Sequence, residues 1–323
     1  MIFTPRSTRL ATPTLPLLLE QSGAVVVNPC SAGGATRARW PRLRAILARR
    51  GLRFQTLLTE GPGQAGVLAR QAAATGAPWI ICVGGDGTFN ELVNGLAAPD
   101  GQVSTSAVLG FIPSGTGLDL ARNLRLPLSP FQAAEQLGTA IRRIDLGRVR
   151  WEDGHCRLFV NMAGTGFDAE VARRVIPWRR YIPGKLCYAL GILATLPGYG
   201  AHEVKLEIEA PPPAQQLCLR AMMVVACNAE RFGGGMRLAP GARLDDGALH
   251  LFILGEVPPL TFLARLPSVY WGTHLARPEA RLLRTQRVRV TSPMRLPIQT
   301  DGEPVDPLPA TFDVLPSAIS MLT

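Results

Sequence analysis

Between residues 24 and 144, short apolar runs alternate with stretches whose apolar positions recur at helical spacing. Ala24-Val25-Val26-Val27 reads as a buried strand, followed by an Arg-rich helical stretch from about Arg37 to Arg50. Phe54 to Leu58 predicts a strand and Gln64 to Ala74 a helix. Trp79 to Val83 is another buried run with a helix after it over Phe89 to Leu96. Val108 to Ile112 repeats the theme, with a short helix over Leu118 to Asn123. Repetition of strand, loop and helix predicts an α/β domain with a parallel sheet covered by helices.

Past Asp145 strand-like patterns dominate: Leu146 to Trp151, Arg157 to Met162, Val204 to Ile208, Leu219 to Cys227, Leu249 to Leu254 and Arg287 to Val290. Helical patterns are fewer, near Phe167 to Val175, Leu186 to Leu196 and Leu260 to Trp271. This predicts a second, β-rich and sandwich-like domain over residues 145–307, with Pro211-Pro212-Pro213 marking a turn. Residues 1–21 read as a loose extension, because their apolar run Leu15 to Leu19 is too short and too Pro-broken for a signal peptide.

Composition adds limits. The chain has 323 residues, 47% hydrophobic and 18% charged, enough for two cores and too apolar for disorder. The 33 glycines and 28 prolines agree with many turns. A formal charge of +10 suits an anionic partner such as a lipid surface, a nucleotide or a nucleic acid. The last has no motif or aromatic platform behind it, so no nucleic-acid partner is expected. The six cysteines form no C-x-x-C pair and read as thiols in a reducing, cytoplasmic setting; the four histidines show no zinc spacing. Leu186 to Ala201 is broken by Pro197 and three glycines, so any membrane contact is expected to be peripheral. The basic cluster Trp178-Arg179-Arg180-Tyr181 with Lys185 is the membrane candidate, while Leu186 to Leu196 is expected to pack on the β-rich domain.

Chemistry concentrates where strands end. Gly84-Gly85-Asp86-Gly87-Thr88 sets one carboxylate among glycines at a helix start, where N–H groups favour phosphate. Ser114-Gly115-Thr116-Gly117 closes another strand, and Asn28-Pro29-Cys30-Ser31-Ala32-Gly33-Gly34 closes the first. Three such loops at the ends of parallel strands predict one phosphate-binding crevice. The chain has no G-x-x-x-x-G-K-[ST] and no G-x-G-x-x-G after its first strand, which argues against a P-loop enzyme and a dinucleotide fingerprint.

In order and spacing the chain resembles bacterial diacylglycerol kinases and the related sphingosine and ceramide kinases from about residue 24 onward. The matching segments are Asn28-Pro29; Gly84 to Thr88 with Asn90-Glu91 and Asn94-Gly95; Pro113 to Gly117 with Asp119 to Arg122; Ile144 to Gly147; Asn161, Gly164 and Gly166-Phe167-Asp168; Gly233 to Met236 with Ala239-Pro240; Leu244 to Gly247; and Asp301-Gly302-Glu303. The resemblance implies an ATP-binding domain over residues 22–144 plus about 308–323, and a lipid-binding domain over 145–307. It implies a kinase that moves the γ-phosphate of ATP, with Mg²⁺, onto the hydroxyl of a membrane lipid such as diacylglycerol. Asp86 would activate that hydroxyl. Asn28, Thr59, Gly85, Gly87, Thr88, Ser114, Gly115 and Thr116 would hold the nucleotide, with Glu91 close by. Asp119 and Asp145 would form an acidic network supporting Mg²⁺, and Asp245 and Asp246 would hold a structural Mg²⁺. Asp301 and Glu303, two apart on an expected extended strand, would face the same way, and one of them would assist Asp86 as base or hold a Mg²⁺-bound water. The family usually has Asn before the Asp of the second glycine loop, where this chain has Leu118. An NAD kinase-like soluble kinase and a non-catalytic nucleotide- or lipid-binding regulator are the alternatives. Contact with anionic membrane is expected; the oligomeric state is left open, with a homodimer as one option.

Overall fold

The computed structural model of the chain describes residues 15–179, 181, 182, 184–209 and 214–323. Residues 1–14, the turn at Pro211 to Pro213, Arg180 and the side chain of Lys185 lie outside the described residues. The first half runs α1 (Leu15–Glu20), β1 (Gly23–Val27), α2 (Ala35–Arg49), β2 (Phe54–Leu58), α3 (Gln64–Ala74), β3 (Trp79–Gly84) and α4 (Asp86–Gly95). It continues with β4 (Val108–Pro113), α5 (Asp119–Leu124) and α6 (Pro130–Gln136). The second half holds β5 (Ile141–Arg150), β6 (Cys156–Phe159), β7 (Met162–Gly166), α7 (Phe167–Val175), α8 (Gly184–Thr195), β8 (His202–Glu209), β9 (Gln215–Ala221) and β10 (Met223–Cys227). Then follow β11 (Arg231–Phe232), β12 (Met236–Arg237), β13 (Leu249–Leu254), α9 (Pro259–Arg265) and α10 (Ser268–Trp271). The chain ends with β14 (Ala280–Thr285), β15 (Arg287–Thr291), β16 (Ile298–Thr300), β17 (Glu303–Val305) and β18 (Ala310–Leu322).

β1, β3 and β4 are apolar throughout because both faces of the sheet are covered there, whereas the edge strand β2 is only partly buried. Val26, Ile80, Cys82 and Phe111 point to the side packed by Ala69 of α3 and Phe89 and Leu92 of α4. Their neighbours Val25, Val27, Ile81, Val83 and Ile112 point to the side packed by Leu43 and Leu47 of α2 and Ala134 of α6. Strands β2, β1, β3 and β4 lie side by side and parallel.

The same sheet carries on into the second half. β18 pairs in parallel with β4 through Met321 and Leu322, and antiparallel with β5 and β15. The last residues therefore lie beside the parallel strands of the first half, while the start of β18 lies in the β-rich part. A second, antiparallel sheet has the order β14-β13-β10-β7-β16-β17. The two sheets bury a common layer, with Leu206, Val288 and Phe312 facing Val224, Leu251 and Ile298. This is the sandwich-like half that the strand-rich pattern predicts.

Four sequence expectations change. The strand expected over Arg157 to Met162 divides after Phe159 into β6 and β7, which lie in different sheets. Residues 1–21 are not loose throughout: Leu15–Glu20 fold as α1, because Leu18 is buried with Trp79 and Leu137, and Trp79 Nε1 donates to the Gln21 carbonyl at 3.1 Å. The strand expected over Leu219 to Cys227 divides at Met222, where the chain leaves one sheet and enters the other. The helix expected over Leu260 to Trp271 divides into α9 and α10 before Pro267, which lacks the N–H that a continuous helix needs. Of the cysteines, Cys82, Cys187 and Cys227 are buried, whereas Cys30 and Cys218 are exposed.

Candidate active site

Because β1, β3 and β4 are adjacent and parallel, the loops after them open at one edge of the sheet. They line a cavity of about 1110 Å³ together with Asn161, Met162, Gly233 and Gly234 from the second half. The two glycine loops touch each other: a Cβ on Gly115 would stand 2.5 Å from the Gly85 Cα. Glycine there is required by the approach of one backbone to another, as well as being open to a ligand.

Asp86 is the first residue of α4, and its carboxylate crosses to the second glycine loop. Oδ2 accepts from the Asp119 N–H at 3.0 Å and Oδ1 from the Leu120 N–H at 3.1 Å. It thus satisfies two of the free N–H groups at the start of α5. Burial, and then the charge of Asp119, push the Asp86 carboxyl up to about 6, against the pull of those two N–H groups. Asp119 in turn accepts from the Gly234 N–H at 2.7 Å and pairs with Arg122 at 3.3 Å, which ties the Gly233–Gly235 turn to the crevice.

Of the residues expected at the nucleotide, Asn28, Gly85, Gly87, Thr88, Glu91, Gly115 and Thr116 line the cavity. Asn28 Nδ2 donates to Thr88 Oγ1 at 3.0 Å, joining the first and second loops. Thr59 and Ser114 are not in its lining. The Ser114 hydroxyl is turned inward to Thr36 Oγ1 at 2.7 Å and is almost fully buried. Leu118 has φ 60° and ψ 29°, the left-handed region that Asn tolerates and Leu does not favour. The structural demand at position 118 is thus for a backbone shape, and Leu118 meets it while packing against the core.

Asp301 and Glu303 do not share an extended strand. Asp301 sits in the turn between β16 and β17 with φ 46°, so the alternation that would align the two side chains is absent. Asp301 faces inward and accepts four hydrogen bonds, from Asn90 Nδ2 at 2.8 Å and from the N–H groups of Val160, Asn161 and Met162 at 2.6, 2.9 and 3.0 Å. Glu303 is half-exposed and pairs with Arg179 at 2.6 Å. Both still line the cavity.

Asp145 is buried away from Asp86, on β5. Its oxygens accept from the Gly247 and Ser317 N–H groups, each at 2.7 Å, so it pins two turns and joins no acidic network with Asp119. Asp245 and Asp246, expected to hold a structural ion, are each engaged by protein partners. Asp245 is held by Arg142 at 2.7 Å and Arg243 at 3.0 Å, and the bond from Arg243 leads in keeping its carboxyl below the ordinary range. Asp246 accepts from His250 Nε2 at 2.9 Å and from the Ala248 N–H at 3.1 Å. Among the described residues no three His, Cys, Asp or Glu side chains converge as a metal cage.

Asn90 and Arg122 stand out in the sequence only as members of motifs, and nothing in the sequence marks Thr36. Asn90 stands four residues after Asp86 on the same helix, a spacing that puts both on one face.

Beyond the polar loops the cavity turns apolar. Phe167 and Val171 of α7, Ile192 of α8, Met223 and Leu254 of the second sheet, and Phe262 of α9 line it. Polar phosphate-type loops and an apolar chamber are therefore parts of one space.

Residues 22–149 match the diacylglycerol kinase catalytic domain, and residues 161–323 match the YegS C-terminal NAD kinase beta sandwich-like domain. A Bacillus subtilis diacylglycerol kinase is 30% identical over 290 residues, covering 89% of this chain and 91% of that protein. A Mycobacterium tuberculosis diacylglycerol kinase is 28% identical over 299 residues, covering 92% and 93%. A Pseudomonas aeruginosa probable lipid kinase YegS-like protein is 30% identical over 277 residues, covering 85% and 87%. The crystal structure of a diacylglycerol kinase from Bacillus anthracis superimposes with a TM-score of 0.69 at 19% identity, covering 94% of this chain and 96% of that one. With both halves matched in order, the chain belongs to the diacylglycerol kinase and YegS-like family of lipid kinases.

Proposed function

We propose that this kinase transfers the γ-phosphate of ATP to the hydroxyl of a membrane lipid of the diacylglycerol class, with Asp86 as the central catalytic residue and Mg²⁺ as the metal. The observation that carries the reading is the single cavity in which the Asp86 loop and an apolar chamber meet. A soluble acceptor would not call for that chamber.

In this reading the N–H groups of the Gly85–Thr88 and Gly115–Gly117 loops hold the phosphates, at the start of α4. The lipid hydroxyl gives its proton to the Asp86 carboxylate as its oxygen attacks the γ-phosphorus, and ADP leaves on the opposite side. A carboxyl raised to about 6 is ionised at neutral pH yet basic enough to take a proton. A divalent ion would neutralise phosphate charge here. Asp86 and Asp119 suit it, since their mutual repulsion is what a cation relieves, and Mg²⁺ commonly rests on one or two carboxylates plus phosphates and water. Asp301 supports the site from behind, holding the 160–162 backbone against α4 through Asn90. Contact with anionic membrane follows from the acceptor, because a long-chain lipid has to be drawn from a bilayer.

The test is incubation of the purified chain with γ-labelled ATP, Mg²⁺ and total lipid extract, with NAD in a parallel arm. Label in an extracted lipid is expected. Label in NAD and none in lipid would overturn the reading.

A further inference from the structure

Helix α8 presents two unlike faces. Cys187, Gly191 and Thr195 are buried against α7, at helical spacing. Leu186, Leu190 and Leu193, also at helical spacing, lie on the other side and are 55%, 38% and 52% exposed. The expectation that this stretch simply packs on the β-rich domain holds for one face only. A second group of exposed apolar residues lies at the α9–α10 corner: Leu260 at 82%, Tyr270 at 47% and Trp271 at 69%. Single exposed leucines are ordinary, but leucines and large aromatics gathered in two groups are not.

The two groups are joined by the cavity. Leu193 and Tyr270 are both exposed and both line it, so its mouth opens between α8 and α10. Arg277 is exposed at the same mouth, in a chain of net charge +10. Helices α7, α8 and α9 share one apolar cluster, which fixes the two exposed groups relative to each other. Among the described residues no helix is long and apolar enough to cross a membrane.

Resting on the lipid-kinase reading above, we propose that the outer face of α8 and the α9–α10 corner form the surface that docks on an anionic bilayer, setting the cavity mouth against the lipid. Leucine and Trp side chains enter the headgroup boundary, and Arg277 meets lipid phosphate. The substrate then passes from bilayer to chamber without crossing water. A second copy of this chain would be the other apolar occupant.

The test compares wild type with Leu186→Glu/Leu190→Glu on α8 and, separately, Leu260→Glu/Trp271→Glu on the other element. None of these four residues lines the cavity. Co-sedimentation is measured with vesicles of phosphatidylglycerol and phosphatidylcholine, and phosphorylation with a short-chain diacylglycerol dispersed below its aggregation concentration. Each double variant is expected to bind vesicles at least about tenfold more weakly, with phosphorylation of the dispersed substrate within about twofold of wild type. Thermal melting identifies a variant that fails to fold, and the pair on the other element then decides. Wild-type-like vesicle binding by the folded variants overturns the proposal, as does a wild type that ignores vesicles. So does sedimentation velocity showing that the variants only dissociate a dimer. Weakened vesicle binding without phosphorylation of any lipid by wild type would instead overturn the function and leave the docking surface standing.

Discussion

Asp86→Asn separates catalysis from stability in a way the geometry makes quantitative. The carboxyl is raised from 3.8 to about 6, chiefly by burial and then by Asp119. Such an acid holds its proton more tightly folded than unfolded, so stability is greatest below about pH 4, falls as pH rises through the window from about 4 to about 6, and is flat above it. The shift corresponds to at most about 3 kcal/mol lost by pH 7.5. Asn carries no charge and removes that cost. It gives some back, because Oδ1 can still accept one of the N–H groups of Asp119 and Leu120 while Nδ2 faces the other, a loss of about 1–2 kcal/mol. The net is a variant about 1–2 kcal/mol more stable than wild type at pH 7.5, or about 2–4 °C in Tm, with the advantage gone near pH 4. Activity moves the other way, falling about a hundredfold or more with the loss of the base. The assay is thermal melting from pH 4 to 8 in EDTA without nucleotide, beside labelled-phosphate transfer to lipid. Comparable lipid phosphorylation would refute Asp86 as the base. A Tm below wild type at pH 7.5 would refute the burial and repulsion argument.

Gly115→Ala places a methyl 2.5 Å from the Gly85 Cα, so the loops must part; lipid phosphorylation is expected to fall at least about tenfold, and near-wild-type turnover would show that the loops need not touch. Asp301→Asn turns an amide donor toward N–H groups now satisfied by a carboxylate, and a loss of about 2 kcal/mol or more in urea unfolding is expected; unchanged stability would show that Asp301 does not brace the 160–162 segment. Since Asp245 and Asp246 are already held by Arg142, Arg243 and His250, wild-type Tm without nucleotide should be the same within about 1 °C in millimolar Mg²⁺ and in EDTA. A rise of several degrees in Mg²⁺ that Asp246→Asn abolishes would restore a structural ion there.

Local pattern alone determined the alternating strands and helices from Gly23 to Leu124. Strands such as Gly23–Val27 and Trp79–Gly84 are apolar at every position because they are buried on both faces, and that pattern is independent of the rest of the chain. The glycine loops were legible for the same reason: a phosphate site at a strand end is built from consecutive residues. What was not legible depended on distant partners. Asp301 and Glu303 looked alike as two acids in a short motif, yet one is wrapped by four donors from α4 and the 160–162 backbone and the other reaches Arg179. Asp145 looked like part of an acidic network supporting Mg²⁺ and instead pins turns at Gly247 and Ser317, about a hundred and more residues away. Spacing cannot report whether an acid meets a ligand, a backbone N–H or an arginine, because all three satisfy a carboxylate and only the tertiary structure brings one of them within reach. The exposed leucines of α8 carry the same lesson: the sequence determined that the stretch is an apolar helix, and the packing of α7 and α9 decided which face of it was left for something else to cover.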